Sequence, residues 1–194
     1  MDHADHVRLI RTGVEGAGRR WLELGAGEGA FTLALADVLG PDGEIVALDR
    51  DARALNHLAD DMSRRFPATR LDTVVADYRD PLPPGPFDGV LAANSLHFVR
   101  DPGEIMTRAR QVLRPGGRLV VVEYDADRGN PWVPHPFSSR RFSDLAEVAG
   151  FFNAREIGRV PSRFLGAIFG AAADVPDPAD RSATLPLHGV DREE

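Results

Sequence analysis

The chain has 194 residues, a length typical of one domain, and hydrophobic residues make up 43% of it, enough for one core. It has no cysteine and all 23 basic residues are arginine, which excludes disulfides, thiolate metal sites, a cysteine nucleophile and catalysis by lysine. The net charge of −7 and the absence of a long apolar run or signal-peptide pattern predict a cytoplasmic protein with no nucleic-acid or membrane partner.

Most of the chain alternates predicted strands and helices. Apolar runs predict strands at 21–24, 45–48, 71–76, 87–93 and 119–122. Apolar residues at helical spacing predict helices at 5–15, at 30–39, after a capping Asp51, and at 104–113. This order predicts an α/β fold with a parallel sheet and right-handed crossovers.

The rest of the chain has a different pattern. We expect a long loop over 125–142, a short helix that Ser143 caps and that ends at Ala149, and a hairpin of 154–157 with 164–169. Residues 174–194 contain proline and six acidic residues against two arginines, a composition typical of a disordered tail. The predicted domain is therefore 1–173.

A glycine-rich turn, Glu23-Leu24-Gly25-Ala26-Gly27-Glu28-Gly29, joins the first strand to its helix. Glycines there let the backbone turn sharply and let a ligand approach the main chain. A turn without a ligand is the simpler alternative. Together with Ala30 and Asp49, the turn also satisfies the dinucleotide pattern, so a nicotinamide-dependent oxidoreductase stays open on this motif alone.

Three features of the sequence indicate which kind of ligand the turn binds. Glu23 would repel a pyrophosphate but would suit a sulfonium cation with an ammonium group. Asp77 follows the third strand as Asp49 follows the second, so two acids could take a ribose diol and an adenine amino group; a loop-capping role is the alternative for Asp77. The fourth strand leads into Asn94-Ser95-Leu96-His97 at its carboxyl end, where open α/β sheets bind ligands.

As a set, these motifs resemble the class I S-adenosylmethionine-dependent methyltransferases, in particular the group similar to ubiquinone/menaquinone C-methyltransferases. Leu113-Arg114-Pro115-Gly116-Gly117 resembles the family's turn before the fifth strand. The resemblance implies a Rossmann-like three-layer sandwich with a seven-stranded sheet whose last strand is antiparallel. It implies methyl transfer from S-adenosylmethionine to a small molecule, with S-adenosylhomocysteine as product. The cofactor contacts that it implies are Glu23, Gly25, Ala26, Gly27, Gly29, Asp49, Arg50, Asp77, Tyr78, Asn94 and Ser95.

His97 is the candidate general base, because it follows the fourth strand and histidine ordinarily titrates near neutrality. The alternative is a histidine that packs or hydrogen-bonds the loop. The candidate acceptor-site residues are Tyr124, Trp132, His135 and Phe137. The alternative for Trp132, His135 and Phe137 is that they only anchor the loop to the sheet.

Three further expectations concern a metal site, a lid over the cleft and catalysis itself. No metal site is expected, because no carboxylate pair after the fourth strand matches Asp125 and Asp127. About twenty residues precede the first strand, so the loop at 125–142 or a partner chain would have to form a lid; a homodimer is compatible with this. A module that binds S-adenosylmethionine without catalysis is the non-enzymatic alternative.

Overall fold

The computed structural model of the protein describes residues 1–178. Its helices are α1 (His3–Val14), α2 (Ala30–Leu39), α3 (Ala52–Arg65), α4 (Pro102–Val112) and α5 (Ser139–Val148). Its strands are β1 (Arg20–Leu24), β2 (Glu44–Asp49), β3 (Arg70–Val75), β4 (Phe87–Ala93), β5 (Leu113–Tyr124), β6 (Phe152–Ser162) and β7 (Gly166–Asp174). A 3₁₀ turn, Leu96–Phe98, follows β4.

The strands form one seven-stranded sheet in the order β3-β2-β1-β4-β5-β7-β6. Strands β1 to β5 pair in parallel, whereas β7 runs antiparallel to both β5 and β6. The prediction of a mainly parallel sheet with an antiparallel last strand is confirmed. The carboxyl ends of β1 to β5 therefore meet at one edge, and this edge carries the candidate site.

Two hydrophobic clusters cover the two faces of the sheet. Successive residues of a strand point to opposite faces, so Trp21 of β1 packs with α1, α2 and α3, whereas Leu22 packs with α4 and α5. The central run of β5 is fully buried, as expected for a strand with helices on both faces. The result is the predicted three-layer sandwich.

Helix ends in the first half of the chain follow local capping rules. Asp51 caps α3 by accepting hydrogen bonds from the backbone N–H groups of Arg53 and Ala54, as predicted. Gly29 precedes α2 with a φ of 88°, a left-handed conformation that favours glycine. The turn that contains the glycines thus leads directly into the amino end of α2.

In the second half of the chain, the structure differs from three predictions. The cap of α5 is Ser138 rather than Ser143, and Ser138 accepts a hydrogen bond from the N–H of Arg141. Strand β5 begins at Leu113, because the Pro-Gly-Gly segment forms an irregularity within the strand rather than a break before it.

The predicted start of the tail is also wrong. Asp174 is the last residue of β7, and its carboxylate accepts hydrogen bonds from Arg118 and Arg155. Val175 then exchanges backbone hydrogen bonds with Gly116 and Gly117. The fold therefore extends beyond residue 173, and the part of the predicted tail at 179–194 lies outside the described residues. Across residues 1–178, the helices are too short or too polar to cross a membrane.

Candidate active site

A cleft of about 620 Å³ opens at the carboxyl edge of the parallel strands. Its volume falls within the range of small-molecule sites, about 300–1,000 Å³. Among the predicted contacts, it brings together Gly25, Gly27, Asp49, Arg50, Asp77, Tyr78, Asn94 and Ser95. Residues that were not among the predicted cofactor contacts also line it: Glu28, Asp51, Ala54, Ala76, Arg79, Phe98 and Val99.

The glycine-rich turn forms one wall of the cleft and is held by β2. The N–H groups of Gly25 and Ala26 donate to the carbonyl of Leu48 at 2.8 and 3.0 Å. The N–H of Gly27 donates to Oδ2 of Asp49 at 2.8 Å. Gly27 has a φ of 54°, and a Cβ built on it would meet no atom within 4 Å. The backbone at Gly27 therefore faces open space in the cleft.

The opposite wall of the cleft follows β3. Arg79 donates to both carboxylate oxygens of Asp77, and these hydrogen bonds hold the pKa of Asp77 at about 2. Tyr78 donates from its hydroxyl to the carbonyl of Ser95 at 2.7 Å, and burial raises its pKa to about 12. Asp77 thus stays ionised at neutral pH, and Tyr78 links the β3 wall to the segment after β4.

Two polar atoms after β4 lack partners. Oδ1 of Asn94 and Oγ of Ser95 are buried and have no hydrogen-bond partner among the residues that the structure describes. Asn94 also has a positive φ of 51°, which is uncommon for a residue other than glycine. Buried polar groups are normally hydrogen-bonded, so these atoms are suited to a polar ligand in the cleft.

Glu23 lies behind the glycine-rich turn and does not line the cleft. Its carboxyl group is buried and accepts a 2.5 Å hydrogen bond from the hydroxyl of Thr32 on α2. Burial raises its pKa to about 8, against the lowering effect of the Thr32 hydrogen bond. Glu23 therefore joins β1 to α2 beneath the turn, and its direct contact with a ligand stays a prediction. Ala26 and Gly29 also lie outside the residues that line the cleft.

The buried Glu23 predicts a pH-dependent stability. The folded protein keeps this proton up to about pH 8, whereas the unfolded chain releases it near pH 4.5, so this group lowers stability as pH rises between these values. In Glu23→Gln this dependence disappears. We expect the stability of the variant relative to wild type to rise by at most about 5 kcal/mol across the window and to level off above it.

Urea unfolding of both proteins from pH 4 to 9 measures this difference. Glu147→Gln, which changes an exposed carboxylate on α5, is the control and should follow the wild type at each pH. A stability difference between Glu23→Gln and wild type that stays constant with pH would contradict the raised pKa.

His97 lies in a buried pair with a residue that the sequence prediction missed. Its Nδ1 is 2.7 Å from Oε2 of Glu123, and the side chains are 4% and 0% exposed. Oε1 of Glu123 accepts hydrogen bonds from the N–H groups of Leu96 and His97 at 2.8 and 3.2 Å. Glu123 therefore fixes the ring, so that Nε2 is the imidazole nitrogen left for other chemistry.

Aromatic rings connect His97 to the surface. The ring of Tyr124 lies 5.9 Å from His97 and 5.8 Å from Phe164, which in turn lies 6.2 Å from Trp132. Trp132 is 71% exposed and Phe164 is 48% exposed. The exposed ring of Phe98, which also lines the cleft, lies 4.2 Å from His97. These rings form an apolar surface beside the cleft.

The other two predicted acceptor-site residues lie elsewhere. Phe137 is buried in the core against Phe169, which is the loop-anchoring role that the sequence left as an alternative. His135 donates from its backbone N–H to the carbonyl of His97 at 2.9 Å, and it lines a separate pocket. The loop is thus attached to the segment after β4 through its backbone.

Residues 22–121, more than half of the chain, match the family model described as a methyltransferase domain. The chain belongs to this methyltransferase family. The ubiquinone/menaquinone biosynthesis C-methyltransferase UbiE of Ectopseudomonas mendocina (strain ymp) is 32% identical over 127 residues, which are 65% of this chain and 49% of that protein. The reducing polyketide synthase grgA of Penicillium sp is 29% identical over 178 residues, covering 80% of this chain and 7% of that protein.

Solved structures agree with this family. The N-terminal domain of EvdMO1, determined in the presence of SAH and D-fucose, aligns with a TM-score of 0.67 and 25% identity, over 90% of this chain and 83% of that one. The fold and the relatives together identify a class I S-adenosylmethionine-dependent methyltransferase. This methyltransferase spans about half the length of the UbiE relative.

The residues of the cleft fit the family's cofactor. The unpartnered Oδ1 of Asn94 and Oγ of Ser95 offer hydrogen bonds, and the open space at Gly27 admits a ligand to the backbone. The carboxylates of Asp49 and Asp77 line the same cleft and suit hydroxyl and amino groups. These residues therefore fit S-adenosylmethionine, the cofactor of class I methyltransferases.

Proposed function

We propose that this protein transfers a methyl group from S-adenosylmethionine to a small-molecule acceptor, and that His97 removes a proton from the acceptor. The observation that carries this proposal is the buried pair of Glu123 with His97, because His97 belongs to the segment after β4 whose Asn94 and Ser95 line the cofactor cleft. A carboxylate that orients a histidine next to a binding cleft is an arrangement suited to general base catalysis.

The cofactor, when bound, supplies a methyl group activated by its sulfonium centre. The protein's part is to hold the acceptor in line with that group, because such positioning supplies roughly 7–11 kcal/mol in favourable cases. Asp49 and Asp77 would hold the cofactor's hydroxyl and amino groups, and Asn94 and Ser95 would hold polar groups nearer the acceptor. The pairing of Nδ1 with Glu123 leaves Nε2 of His97 to take the acceptor's proton.

The apolar surface of Phe98, Tyr124, Trp132 and Phe164 supports an acceptor with a hydrophobic body. His97 is almost fully buried under the Phe98 ring, so we propose that Phe98 shifts when the acceptor binds. The net charge of −7 supports a small molecule rather than nucleic acid as the substrate. A cytoplasmic location and a homodimer stay predictions from the sequence.

Ligand-dependent melting tests the cofactor part of the proposal. At a concentration 100 times its Kd, a ligand that binds the folded state adds about 2.7 kcal/mol, which for a chain of this size raises Tm by about 5–10 °C. We expect this rise with S-adenosylmethionine and S-adenosylhomocysteine, and no rise with NAD(H). A rise with NAD(H) alone would favour the oxidoreductase that the glycine-rich turn by itself left open.

An acceptor screen tests catalysis. S-adenosylhomocysteine production is measured with quinols, phenols and activated carbonyl compounds, and we expect turnover with at least one of these classes. Saturable cofactor binding without turnover on any of them would favour the non-catalytic binding module.

A further inference from the structure

A second pocket, separate from the cofactor cleft, lies between the start of α4 and the loop before α5. Its volume is about 190 Å³, and no described lining residue is shared with the cleft. Arg100, Arg141 and His135 line it, together with Asp127 and with glycine, proline and phenylalanine residues. It is smaller than the pockets of drug-sized ligands, so it suits a single polar group with a few waters.

The charges of this pocket are unbalanced. Most arginines of the described chain pair with a carboxylate, as Arg79 does with Asp77 and Arg159 with Asp125. Arg100 and Arg141 are exposed and have no carboxylate within 4 Å in residues 1–178. Asp127 is the one acidic group among the described lining residues, and it accepts a hydrogen bond from the backbone N–H of Ser138. The described lining therefore includes two arginines against one acidic residue, in a protein with a net charge of −7.

The guanidinium groups indicate the ligand. Arginine is the side chain best suited to phosphate and carboxylate, because its planar donors match their oxygens in pairs. Two arginines from distant parts of the chain, Arg100 before α4 and Arg141 in α5, line one concave site, and neither has a carboxylate partner within residues 1–178. We propose that this pocket binds an oxyanion, either a phosphate or a carboxylate group.

The position of the pocket relates it to the candidate active site. Phe98 and Val99 line the cofactor cleft, whereas the next residue, Arg100, lines this pocket. On its other side, the backbone N–H of His135 donates to the carbonyl of His97. An anionic group on the acceptor is one source of this ligand, which rests on the proposed function, and free phosphate is the other source of the same chemistry.

Binding of inorganic phosphate to the apo-protein tests the site without any assay of methyl transfer. Titration at constant ionic strength, followed by amide chemical shifts, should show saturable changes at Arg100, Gly129 and His135 with a millimolar Kd. The double variant Arg100→Gln/Arg141→Gln should weaken binding at least about tenfold. Arg140→Gln, which changes the neighbouring exposed arginine that does not line the pocket, should stay within about twofold of wild type.

A second ligand identifies the source of the anion. Phenyl phosphate that binds at least as tightly as inorganic phosphate assigns the site to a substituent of a larger molecule, and inorganic phosphate that binds about tenfold more tightly assigns it to the free ion. Non-saturable shifts, or equal affinity in wild type and the double variant, would overturn the proposal. Melting curves of the variants check folding, which neither arginine should affect because both are exposed and have no carboxylate partner in the described chain.

Discussion

Replacement of Gly27 by valine should abolish cofactor binding. The φ of Gly27 is 54°, a conformation that a β-branched residue rarely adopts, and the added side chain would project into the open space of the cleft. The same change would strain the backbone N–H that donates to Asp49. We expect calorimetry to detect no binding of S-adenosylhomocysteine at concentrations that saturate the wild type.

Gly16→Val provides a matched control for the strain. Gly16 also has a positive φ, of 75°, and also has no atom within 4 Å of a built Cβ, but it lies before β1, at the opposite edge of the sheet. It should lose a similar amount of stability, about 1–2 kcal/mol, and keep the wild-type affinity. Unchanged affinity in Gly27→Val would show that the cofactor does not approach this turn.

Replacement of His97 by alanine should reduce turnover far more than cofactor affinity. A general base contributes about 10²–10⁴-fold to a rate, so kcat should fall by a factor in this range. The Kd for S-adenosylhomocysteine should stay within about threefold, because His97 does not line the cleft. Both are measured with the acceptor that the screen identifies.

The variant Glu123→Gln distinguishes a catalytic role of the His97–Glu123 pair from a role in packing alone. The amide keeps the shape of the side chain and can still accept from the backbone N–H groups of Leu96 and His97, but it removes the charge beside Nδ1. We expect kcat to fall at least about tenfold, with a changed acidic limb in the kcat–pH profile. His57→Ala, which changes an exposed histidine on α3, should leave the profile unchanged. Wild-type turnover in His97→Ala would leave His97 only a packing role.

Local patterns were sufficient for much of the fold. The helix over 30–39 and the strand over 87–93 were predicted with the bounds that the structure has. Glycines define both ends of the helix, whereas a proline-rich loop and Asn94-Ser95 define the ends of the strand. The cap of α5 is five residues earlier than predicted, because acceptors distant in sequence determine it. The N–H groups of Ser138 and Ser139 donate to Asp127 and Asp125, contacts that no local pattern reveals.

Site residues could be predicted from the sequence where their position at the end of a parallel strand places them in the cleft. Asp49 and Asp77 follow parallel strands and line the cleft as that rule implies. Glu123 sits near the end of the buried β5 and could have been found by the same rule. The position of Glu23 behind the turn could not have been predicted in this way, because its partner Thr32 lies on α2. The pairing of His97 with Glu123 joins residues 26 positions apart and needs the register of β4 against β5.

Strand β7 lies inside the sheet, between β5 and β6, although it follows both in the chain. During synthesis on the ribosome, β6 emerges before the strand that connects it to the rest of the sheet. Until residues 166–174 have emerged, the hydrogen-bonding edge of β5 has no neighbour on that side. Such late, long-range pairing slows folding and leaves the nascent protein exposed to chaperones and to aggregation.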